Sequence, residues 1–311
     1  MTAAQASAPD TGEFDRAMAE QNLAGLWNAR VPSHRPEPAF LWPWQPVNDA
    51  LMRASREIDI AFADRRVVKL CNPHLPSKAA SRTIQFNFSI VNGGEVAPAH
   101  RHTLAAIRFV VRGRGAYTTV NGIRCEMEPG DLIYTPSWSW HDHYHRIDEP
   151  IVWLDGLDGP LVQALNLAFF EEYTQPAQTI EREADEAWRY PWQRAYAELC
   201  AINPADESPD DGAVLRYPEL PTMACELRRL RPGLRTRQHR RTGVDLYHVV
   251  RGRGVTEVAD QRIEWAAGDT FVVPAWQWQR HENAGADEAV LFAMSDRPVI
   301  KAMGLYREER R

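Results

Sequence analysis

The stretch that decides the fold is GEVAPAHRHTLAAIRFVVRGRGAY, from Gly94 to Tyr117, together with GDLIYTPSWSWHDHYH, from Gly130 to His145. Alternate residues of a β-strand point to the same face, so we expect His100 and His102 to direct two imidazoles to one point. His141 lies on a second β segment. Three neutral nitrogens that converge in this way predict a site for a borderline divalent metal ion.

The spacing of glycine, proline and histidine is more informative than the histidines alone. The pattern G-x5-H-x-H begins at Gly94, and the pattern G-x5-P-x-W-x2-H begins at Gly130. Together they resemble the two-part signature of the cupin barrel, with Trp138 where the second part usually has glycine. Most cupins also have a glutamate ligand four residues after the second histidine, and that position is Ala106 here. The sequence therefore predicts three histidine ligands and no carboxylate.

Such a metal centre leaves about three positions of a six-coordinate ion free for other ligands. The strand face that would have held the glutamate points inward, and Arg108 lies on the same face, two residues after Ala106. A buried guanidinium is costly unless it is paired or meets an anionic ligand. The metal pocket is therefore expected to bind a carboxylate.

An internal repeat divides the chain. F-V-V-R-G-R-G at Phe109–Gly115 recurs as H-V-V-R-G-R-G at His248–Gly254, 139 residues later. G-D-L-I-Y-T-P-S-W-S-W at Gly130 recurs as G-D-T-F-V-V-P-A-W-Q-W at Gly268, 138 residues later. Because the two offsets agree within one residue, we predict a mainly β bicupin, with two double-stranded β-helix or jelly-roll barrels after an N-terminal helical segment.

The same offsets indicate which barrel carries the chemistry. They place His239, Arg241 and Gln279 at the positions of the three histidines, and Asp245 at the glutamate position. An arginine does not bind a cation, and we expect Arg241 to pair with Asp245 where a metal would otherwise be held. The second barrel is therefore predicted to be structural.

Composition and turn residues suggest four parts: an N-terminal helical and proline-rich segment at 1–70, a metal-binding barrel at 71–173, an acidic linker or mobile excursion at 174–215, and a degenerate barrel at 216–311. Periodicity predicts a helix over 12–28 that is capped by Thr11, a helix from the cap Asn48 to Ile58, and a helix over 160–173. A strand is expected from Arg65.

The bulk composition limits the class of protein. The formal net charge is −6 with no block of Lys and Arg, which argues against nucleic acid or an anionic membrane as a partner. No apolar run approaches the ~18 residues of a transmembrane helix, and the first residues lack the features of a signal peptide. Four cysteines are scattered without a C-x-x-C motif. A cytoplasmic enzyme is expected.

Beyond the cupin pattern, the chain resembles gentisate 1,2-dioxygenases and the similar salicylate 1,2-dioxygenases. The matching stretches are LAGLW near Leu23, RRVVKLCNP at Arg65, GEVAPAHRHT at Gly94, RF at Arg108, MEPGDLIYTPSWSWHDH at Met127 and WLDGLDGPLV at Trp153. The resemblance implies a ring-cleaving aromatic dioxygenase of the extradiol type and a homotetramer. In that family three histidines hold Fe(II), a 2-hydroxybenzoate chelates the iron through carboxylate and phenolate, and O2 is inserted between C1 and C2.

Carried over residue by residue, the resemblance implies a role for each matching position. His100, His102 and His141 are expected to be iron ligands, and Arg108 and Arg65 to bind the substrate carboxylate. His143 corresponds to a histidine that contacts substrate oxygens, and Asp155 to an acid that steadies these groups. Three assignments stay open: Arg66 could replace Arg65, His143 could merely orient a neighbour, and Asp155 could form only a structural ion pair.

Two positions depart from the family and bear on the substrate. Ser89 stands where the family commonly has glutamine, and Gln85 where an aromatic residue is usual. Both should point into the pocket, so the substrate is predicted to be gentisate or, alternatively, salicylate or a 5-nitro or 5-halo salicylate. A non-catalytic storage or ligand-binding bicupin is the alternative from another class. A flavonol-cleaving bicupin is disfavoured because that class typically retains the glutamate.

Overall fold

The computed structural model describes residues 11–28, 33–35, 37–63, 65–183 and 187–311, apart from the side chain of residue 61. The described residues form two units, one within Met1–Arg35 and one within Pro36–Arg311. Two prolines of the predicted proline-rich crossing, at positions 32 and 36, lie outside the described residues. In the described part of the chain, no helix combines the length and apolar character that crossing a membrane requires.

The described residues of the first unit form one short helix, α1 (Gly12–Ala19), and a 3-10 turn over Leu26–Asn28. The prediction of a single helix over 12–28 is therefore wrong, because the helix ends at Ala19. Asn22 has a φ of 58°, and this left-handed conformation ends the helical path. Thr11 donates to the carboxylate of Asp15 and makes no side-chain capping bond to the backbone.

The described residues of the second unit form five further α-helices and a 3-10 turn over Pro204–Asp206. The α-helices are α2 (Trp44–Glu57), α3 (Ile60–Ala63), α4 (Gly159–Ala164), α5 (Trp192–Ala201) and α6 (Arg297–Ala302). Helix α2 begins a turn before the predicted cap Asn48, because Asp269 of a distant loop accepts a hydrogen bond from the Trp44 amide at 2.8 Å. The predicted helix over 160–173 ends at Ala164, since Asn166 has a φ of 56° and turns the chain.

The first thirteen strands, in chain order, are β1 (Phe40–Trp42), β2 (Arg66–Lys69), β3 (Gln85–Val91), β4 (Val96–His102), β5 (Ala106–Arg112), β6 (Ala116–Val120), β7 (Ile123–Met127), β8 (Leu132–Thr135), β9 (His141–His145), β10 (Ile151–Leu157), β11 (Phe170–Glu172), β12 (Arg182–Glu183) and β13 (Arg189–Tyr190). The first barrel consists of two six-stranded sheets, with the orders β13-β8-β5-β10-β3-β2 and β11-β4-β9-β6-β7-β12.

The remaining strands are β14 (Ala213–Arg216), β15 (Ala224–Leu230), β16 (His239–Arg241), β17 (Asp245–Arg251), β18 (Arg253–Val258), β19 (Gln261–Ala266), β20 (Thr270–Val273), β21 (Gln279–Glu282), β22 (Ala289–Ser295) and β23 (Glu308–Arg310). The second barrel has the sheet orders β1-β20-β17-β22-β15-β14 and β19-β18-β21-β16-β23. The predicted mainly β fold with two barrels is confirmed.

Segment 174–215, predicted as an acidic linker, contributes to both barrels. Strand β12 belongs to one sheet of the first barrel and β13 belongs to the other. Strand β14 belongs to a sheet of the second barrel. Asp210 and Asp211 in this segment are buried and paired with arginines, which explains how an acidic stretch is incorporated into the fold. The residue boundaries of the four-part division stay a prediction.

The two barrels share one apolar core across their seam. Phe109 of the first barrel stacks on Phe292 of the second with ring centroids 4.4 Å apart and an interplanar angle of 16°. Both rings are almost fully buried. Residues of α2, α5 and several strands of both barrels extend the same cluster. Apolar burial of this extent joins the barrels into one unit.

Candidate metal centre and active site

Three histidines of the first barrel converge as the strand alternation predicts. His100 and His102 lie on β4, and His141 opens β9, which pairs with β4 so that His100 and His141 are register partners. All three side chains are buried, and one nitrogen of each lies within 4.8 Å of the others. Among the described residues, this is the single group of three or more His, Cys, Asp or Glu side chains that could hold a metal ion.

Backbone carbonyls orient the three rings. The Nδ1 atoms of His100, His102 and His141 lie 2.7, 2.8 and 3.0 Å from the carbonyl oxygens of residues 98, 104 and 139. A carbonyl only accepts, so each Nδ1 carries the proton and each Nε2 has a free lone pair. The Nε2 atoms of His100 and His141 are buried without a hydrogen-bond partner. These orphaned nitrogens fit a metal ligand set with ordered second-sphere contacts.

Burial keeps the imidazoles neutral. It lowers the pKa of His100 to about 3 and that of His102 to about 4, and it lowers the pKa of His141 well below its usual value. The nearby guanidiniums act in the same direction. The ligands therefore need no deprotonation at neutral pH before they bind a metal. Ala106, in the usual glutamate position, is buried and offers no carboxylate.

A cavity of about 290 Å³ adjoins the histidines. It is lined by His102 and by all six residues predicted for catalysis or substrate binding: Arg65, Gln85, Ser89, Arg108, His143 and Asp155. The alternating residues of β3, β5 and β10 form much of its wall, as expected for three adjacent strands of one sheet. The volume suits a small aromatic acid.

Arg108 is a cation held inside the barrel. The residue is 2 % exposed, and one terminal nitrogen donates to the hydroxyl of Thr135. Its Nε has no hydrogen-bond partner and lies 3.6 Å from Oδ1 of Asp155. Burial lowers the pKa of Arg108 to about 10, so the guanidinium is still charged at neutral pH. An incompletely bonded buried cation of this kind is a fitting partner for a substrate carboxylate.

Asp155 is the centre of a small hydrogen-bond network. It accepts from Ser89 Oγ at 2.5 Å and from Trp153 Nε1 at 2.9 Å. Burial raises the pKa of Asp155, although Arg108 and the two hydrogen bonds oppose the shift. Ser89 therefore faces the cavity as predicted, but its hydroxyl is already used to orient Asp155.

The structure distinguishes the two adjacent arginines. Arg66 is buried and forms a two-pronged ion pair with Glu95, with N–O distances of 2.6 and 2.8 Å. Arg65 instead lines the cavity, and its charge acts on the pKa values of His100 and His102. Arg65 is therefore the arginine in position to meet a ligand.

His143 lies two residues beyond the ligand His141 on the same strand. Its Nδ1 is 2.8 Å from Thr118 Oγ1, and burial lowers its pKa well below the usual value. The second barrel repeats this pair, with His281 Nδ1 2.8 Å from Thr256 Oγ1. The His–Thr contact is thus part of the barrel fold, and only His143 adjoins the cavity beside the three histidines.

Sequence reasoning missed several residues that line the cavity, among them Asn87, Phe169 and Phe170. Asn87 lies between Gln85 and Ser89 on the inward face of β3, and the strand alternation that selected its neighbours would have selected it too. Phe169 and Phe170 line the rim. The ring of Phe170 stacks on His100 with centroids 5.3 Å apart. No local pattern indicates this contact, because it depends on β11 returning beside β4.

The corresponding region of the second barrel is filled by ion pairs. The prediction that Arg241 pairs with Asp245 is wrong. Arg241 forms an ion pair with Asp211 at 2.8 Å, and Asp245 accepts a hydrogen bond from Gln279. Arg228, which the 139-residue offset aligns with Ser89, is fully buried and also binds Asp211, at 2.7 Å. Burial raises the pKa of Asp211, but the two arginines outweigh it and hold that pKa far below the usual value.

The paired barrels and the single histidine centre define a bicupin with one predicted metal site. Two stretches of the chain, residues 87–156 and 227–295, match the cupin domain family. A crystal structure of a salicylate 1,2-dioxygenase from Pseudaminobacter salicylatoxidans superposes with a TM-score of 0.88 at 26 % identity, covering 98 % of this chain and 99 % of that one.

Sequence comparison identifies the family more narrowly. The chain is 38 % identical to a 5-aminosalicylate 1,2-dioxygenase from Comamonas sp., over 97 % of this chain and 92 % of that protein. It is 34 % identical to a gentisate 1,2-dioxygenase from Aquipseudomonas alcaligenes, over 96 % of both. It is 35 % identical to a 1-hydroxy-2-naphthoate 1,2-dioxygenase from Nocardioides sp., over 99 % of this chain and 92 % of that protein. The protein belongs to the gentisate and salicylate 1,2-dioxygenase family of ring-cleaving enzymes.

Proposed function

We propose that this protein uses one Fe(II) per chain to insert O2 between C1 and C2 of a 2-hydroxybenzoate. The observation that carries the proposal is the set of three neutral imidazoles beside a cavity whose inner wall holds the buried Arg108. The bond broken has a hydroxyl on one of its carbons only, and this is the sense in which the reaction is of the extradiol type. The iron supplies redox chemistry with O2 and a Lewis-acid contact for the phenolate.

Arg108 and Arg65 bind and orient the substrate carboxylate. Both line the cavity. Arg108 cannot turn toward solvent because it is buried and held by Thr135. A fixed guanidinium presents parallel N–H groups to a carboxylate and so determines which ring carbon lies nearest the histidine centre.

His143 and Asp155 complete the polar wall. His143 is neutral, and if its Nδ1 proton is donated to Thr118, its Nε2 accepts a hydrogen bond from the 2-hydroxyl group and orients it. Asp155 steadies Arg108 through a 3.6 Å ion pair and is itself positioned by Ser89 and Trp153. In this arrangement Asp155 is a positioning residue.

Gentisate is the first candidate substrate, and salicylate or a 5-substituted salicylate is the alternative. The names of the relatives in Comamonas and Aquipseudomonas support a 2-hydroxybenzoate with a 5-amino or 5-hydroxyl group. Gln85 and Ser89, which both line the cavity, differ from the residues that are common in the family. This difference supports the alternative substrates. A homotetramer is expected by resemblance, and light scattering after size-exclusion chromatography measures it.

Anaerobic reconstitution with Fe(II) tests the metal and the reaction together. Elemental analysis should give about one iron per chain, and the His100→Ala, His141→Ala double variant should bind none. The reconstituted enzyme should then consume O2 with at least one member of a 2-hydroxybenzoate panel. Near two irons per chain, or iron retained by the double variant, would contradict the assigned site.

The same experiment separates an enzyme from a ligand-binding bicupin. A non-catalytic protein would bind a 2-hydroxybenzoate without consuming O2. Oxygen uptake in step with loss of the aromatic absorbance, at one O2 per substrate, would identify ring cleavage.

A further inference from the structure

Asn87 is a polar side chain in the cavity that the enzyme's own structure leaves unsatisfied. It lies on β3 and is 5 % exposed. Its Oδ1 is buried without a hydrogen-bond partner. Asn87 faces the same cavity as Gln85 and Ser89.

A buried amide oxygen without a hydrogen-bond partner is unusual. Leaving a buried hydrogen-bonding group unsatisfied destabilises a protein, and most such groups in native structures have a partner. The other orphaned atoms of this site have an evident use, since His100 and His141 offer Nε2 to a metal and Arg108 offers Nε to an anion. The amide oxygen of Asn87 has no such use in a site built only for a metal and a carboxylate.

The neighbours of Asn87 do not supply the missing donor. Ser89 gives its hydroxyl proton to Asp155. Asp155 lies opposite Asn87 across the β3–β10 pair, and it already accepts from Ser89 and Trp153. No described group donates to Asn87 Oδ1, so we expect its donor to come from whatever occupies the cavity.

We propose that Asn87 is a specificity-determining residue that accepts a hydrogen bond from a donor group, hydroxyl or amino, on the ring of the substrate. The inference rests on the proposed function and narrows it to 2-hydroxybenzoates with such a substituent. The carboxylate and the phenolate of the substrate are both acceptors, and they suit Arg108, Arg65 and the metal. Neither can satisfy Asn87 Oδ1, and a nitro group, a halogen or a bare C–H cannot either. A site built around such a hydrogen bond rejects ligands that lack it.

Equilibrium binding to the iron-loaded enzyme under anaerobic conditions tests the assignment without turnover. Calorimetry would give Kd for gentisate, 5-aminosalicylate, salicylate, 5-chlorosalicylate and 5-nitrosalicylate. Gentisate and 5-aminosalicylate should bind about 10-fold more tightly than the other three, as expected for one hydrogen bond to a buried group. Salicylate is the matched ligand, because it differs from both only by the donor.

Two variants locate the effect at Asn87. Asn87→Leu keeps the approximate size and removes the acceptor, so the ratio of Kd for salicylate to Kd for 5-aminosalicylate should fall to near one. Asn87→Asp keeps the acceptor and adds a charge, which should weaken all carboxylate ligands while retaining the ratio. Iron content and melting temperature, measured for each variant, exclude a loss of fold.

The outcomes separate this inference from the proposed function. If the wild type binds and cleaves 2-hydroxybenzoates but shows no preference for donors, or prefers nitro or chloro, the role of Asn87 is wrong and the proposed function stands. If the Asn87→Leu variant still prefers ligands with a donor substituent, the assigned role of Asn87 is also wrong. If no 2-hydroxybenzoate is bound or cleaved, the proposed function itself fails. The wild-type ranking needs no variant, so the test holds even if a substituted protein does not fold.

Discussion

Three polar side chains of the cavity lie in one row across adjacent strands. Asp155 on β10 is the register partner of Arg108 on β5 and of Asn87 on β3. The carboxylate therefore lies between a cation and an amide. Because the central anion is buried and near the guanidinium, it keeps the orientation of Arg108 fixed and partly offsets the cost of burying it.

Arg108→Lys should retain iron and lose most turnover. A lysine places one point charge where the guanidinium offers a planar set of donors. Loss of a charged hydrogen bond of about 2–3 kcal/mol corresponds to roughly 30- to 200-fold in kcat/KM. Steady-state kinetics with gentisate and salicylate would measure it, with iron content as the control. Unchanged kinetics for both substrates would remove Arg108 from the site.

His143 has a matched control inside the same molecule. His143 and His281 both contact a threonine hydroxyl at 2.8 Å and are buried, but only His143 lines the cavity. His143→Gln should lower kcat/KM roughly 10- to 100-fold, because the substrate loses a hydrogen bond worth about 1.4–2.7 kcal/mol. His281→Gln should lower the melting temperature similarly and leave the kinetics unchanged. Equal kinetic losses in both variants would assign His143 a structural role only.

At the scale of elements, the edge strand β11 closes one side of the metal centre. It pairs with β4, so that Glu172 and Phe170 are register partners of His100 and His102. Glu171 of the same strand forms an ion pair with Arg101 at 2.6 Å, and Arg101 also stacks on Trp138 and Trp140. The second barrel repeats the arrangement at its outer edge: Arg240 binds Glu309 and stacks on Trp276 and Trp278.

Glu171→Gln and Glu309→Gln form a matched pair of variants. Each removes a partly exposed ion pair, so each should cost less than about 1 kcal/mol of stability. Only Glu171→Gln should raise KM, because β11 carries Phe170 over His100. The expected rise is roughly 2- to 5-fold, which corresponds to a loss of about 0.5–1 kcal/mol in substrate binding. Thermal unfolding and steady-state kinetics of both variants measure this. A KM that rises equally in both variants would argue against a role for β11 at the cavity.

Strand alternation and the repeat sufficed to place most of the site. Gln85, Ser89 and Arg108 face the cavity as the two-residue period predicts, and the three histidines meet as their spacing indicates. The errors arise where contacts are distant in sequence. Asp211 pairs with Arg241, 30 residues later, and no local pattern specifies that choice. Likewise, the helix over 160–173 is predicted from apolar periodicity. That periodicity carries no information about the left-handed turn at Asn166.

At the scale of the whole molecule, two reciprocal hydrogen bonds cross the seam between the barrels. Thr222 of the second half donates to Asp158 of the first at 2.6 Å. Thr83 of the first half donates to Asp296 of the second at 2.7 Å. The two pairs are related by the offsets of the sequence repeat, so the repeat has been kept at the interface as well as in each barrel. The cavity and the metal centre belong to one barrel only.

Asp296 gives this seam a pH dependence. Burial raises its pKa from 3.8 to about 6, with hydrogen bonds from Thr83 and the Val244 amide opposing the shift. The folded state therefore holds this proton more tightly than the unfolded chain does. Between about pH 4 and pH 6 the folded state binds more protons, so the contribution of Asp296 to the free energy of unfolding falls as the pH rises. Below pH 4 and above pH 6 that contribution is constant.

We therefore expect Asp296→Asn to remove one component of the pH dependence of stability. The variant cannot ionise, and its amide oxygen can still accept a hydrogen bond from Val244 N. A pKa raised from 3.8 to about 6 corresponds to on the order of 3 kcal/mol. The difference in unfolding free energy, variant minus wild type, should rise by that amount from pH 4 to pH 7 in urea titrations. Asp260→Asn, at an exposed turn of the same barrel, controls for the change of net charge. A difference that stays flat over this range would mean that Asp296 does not retain its proton in the fold.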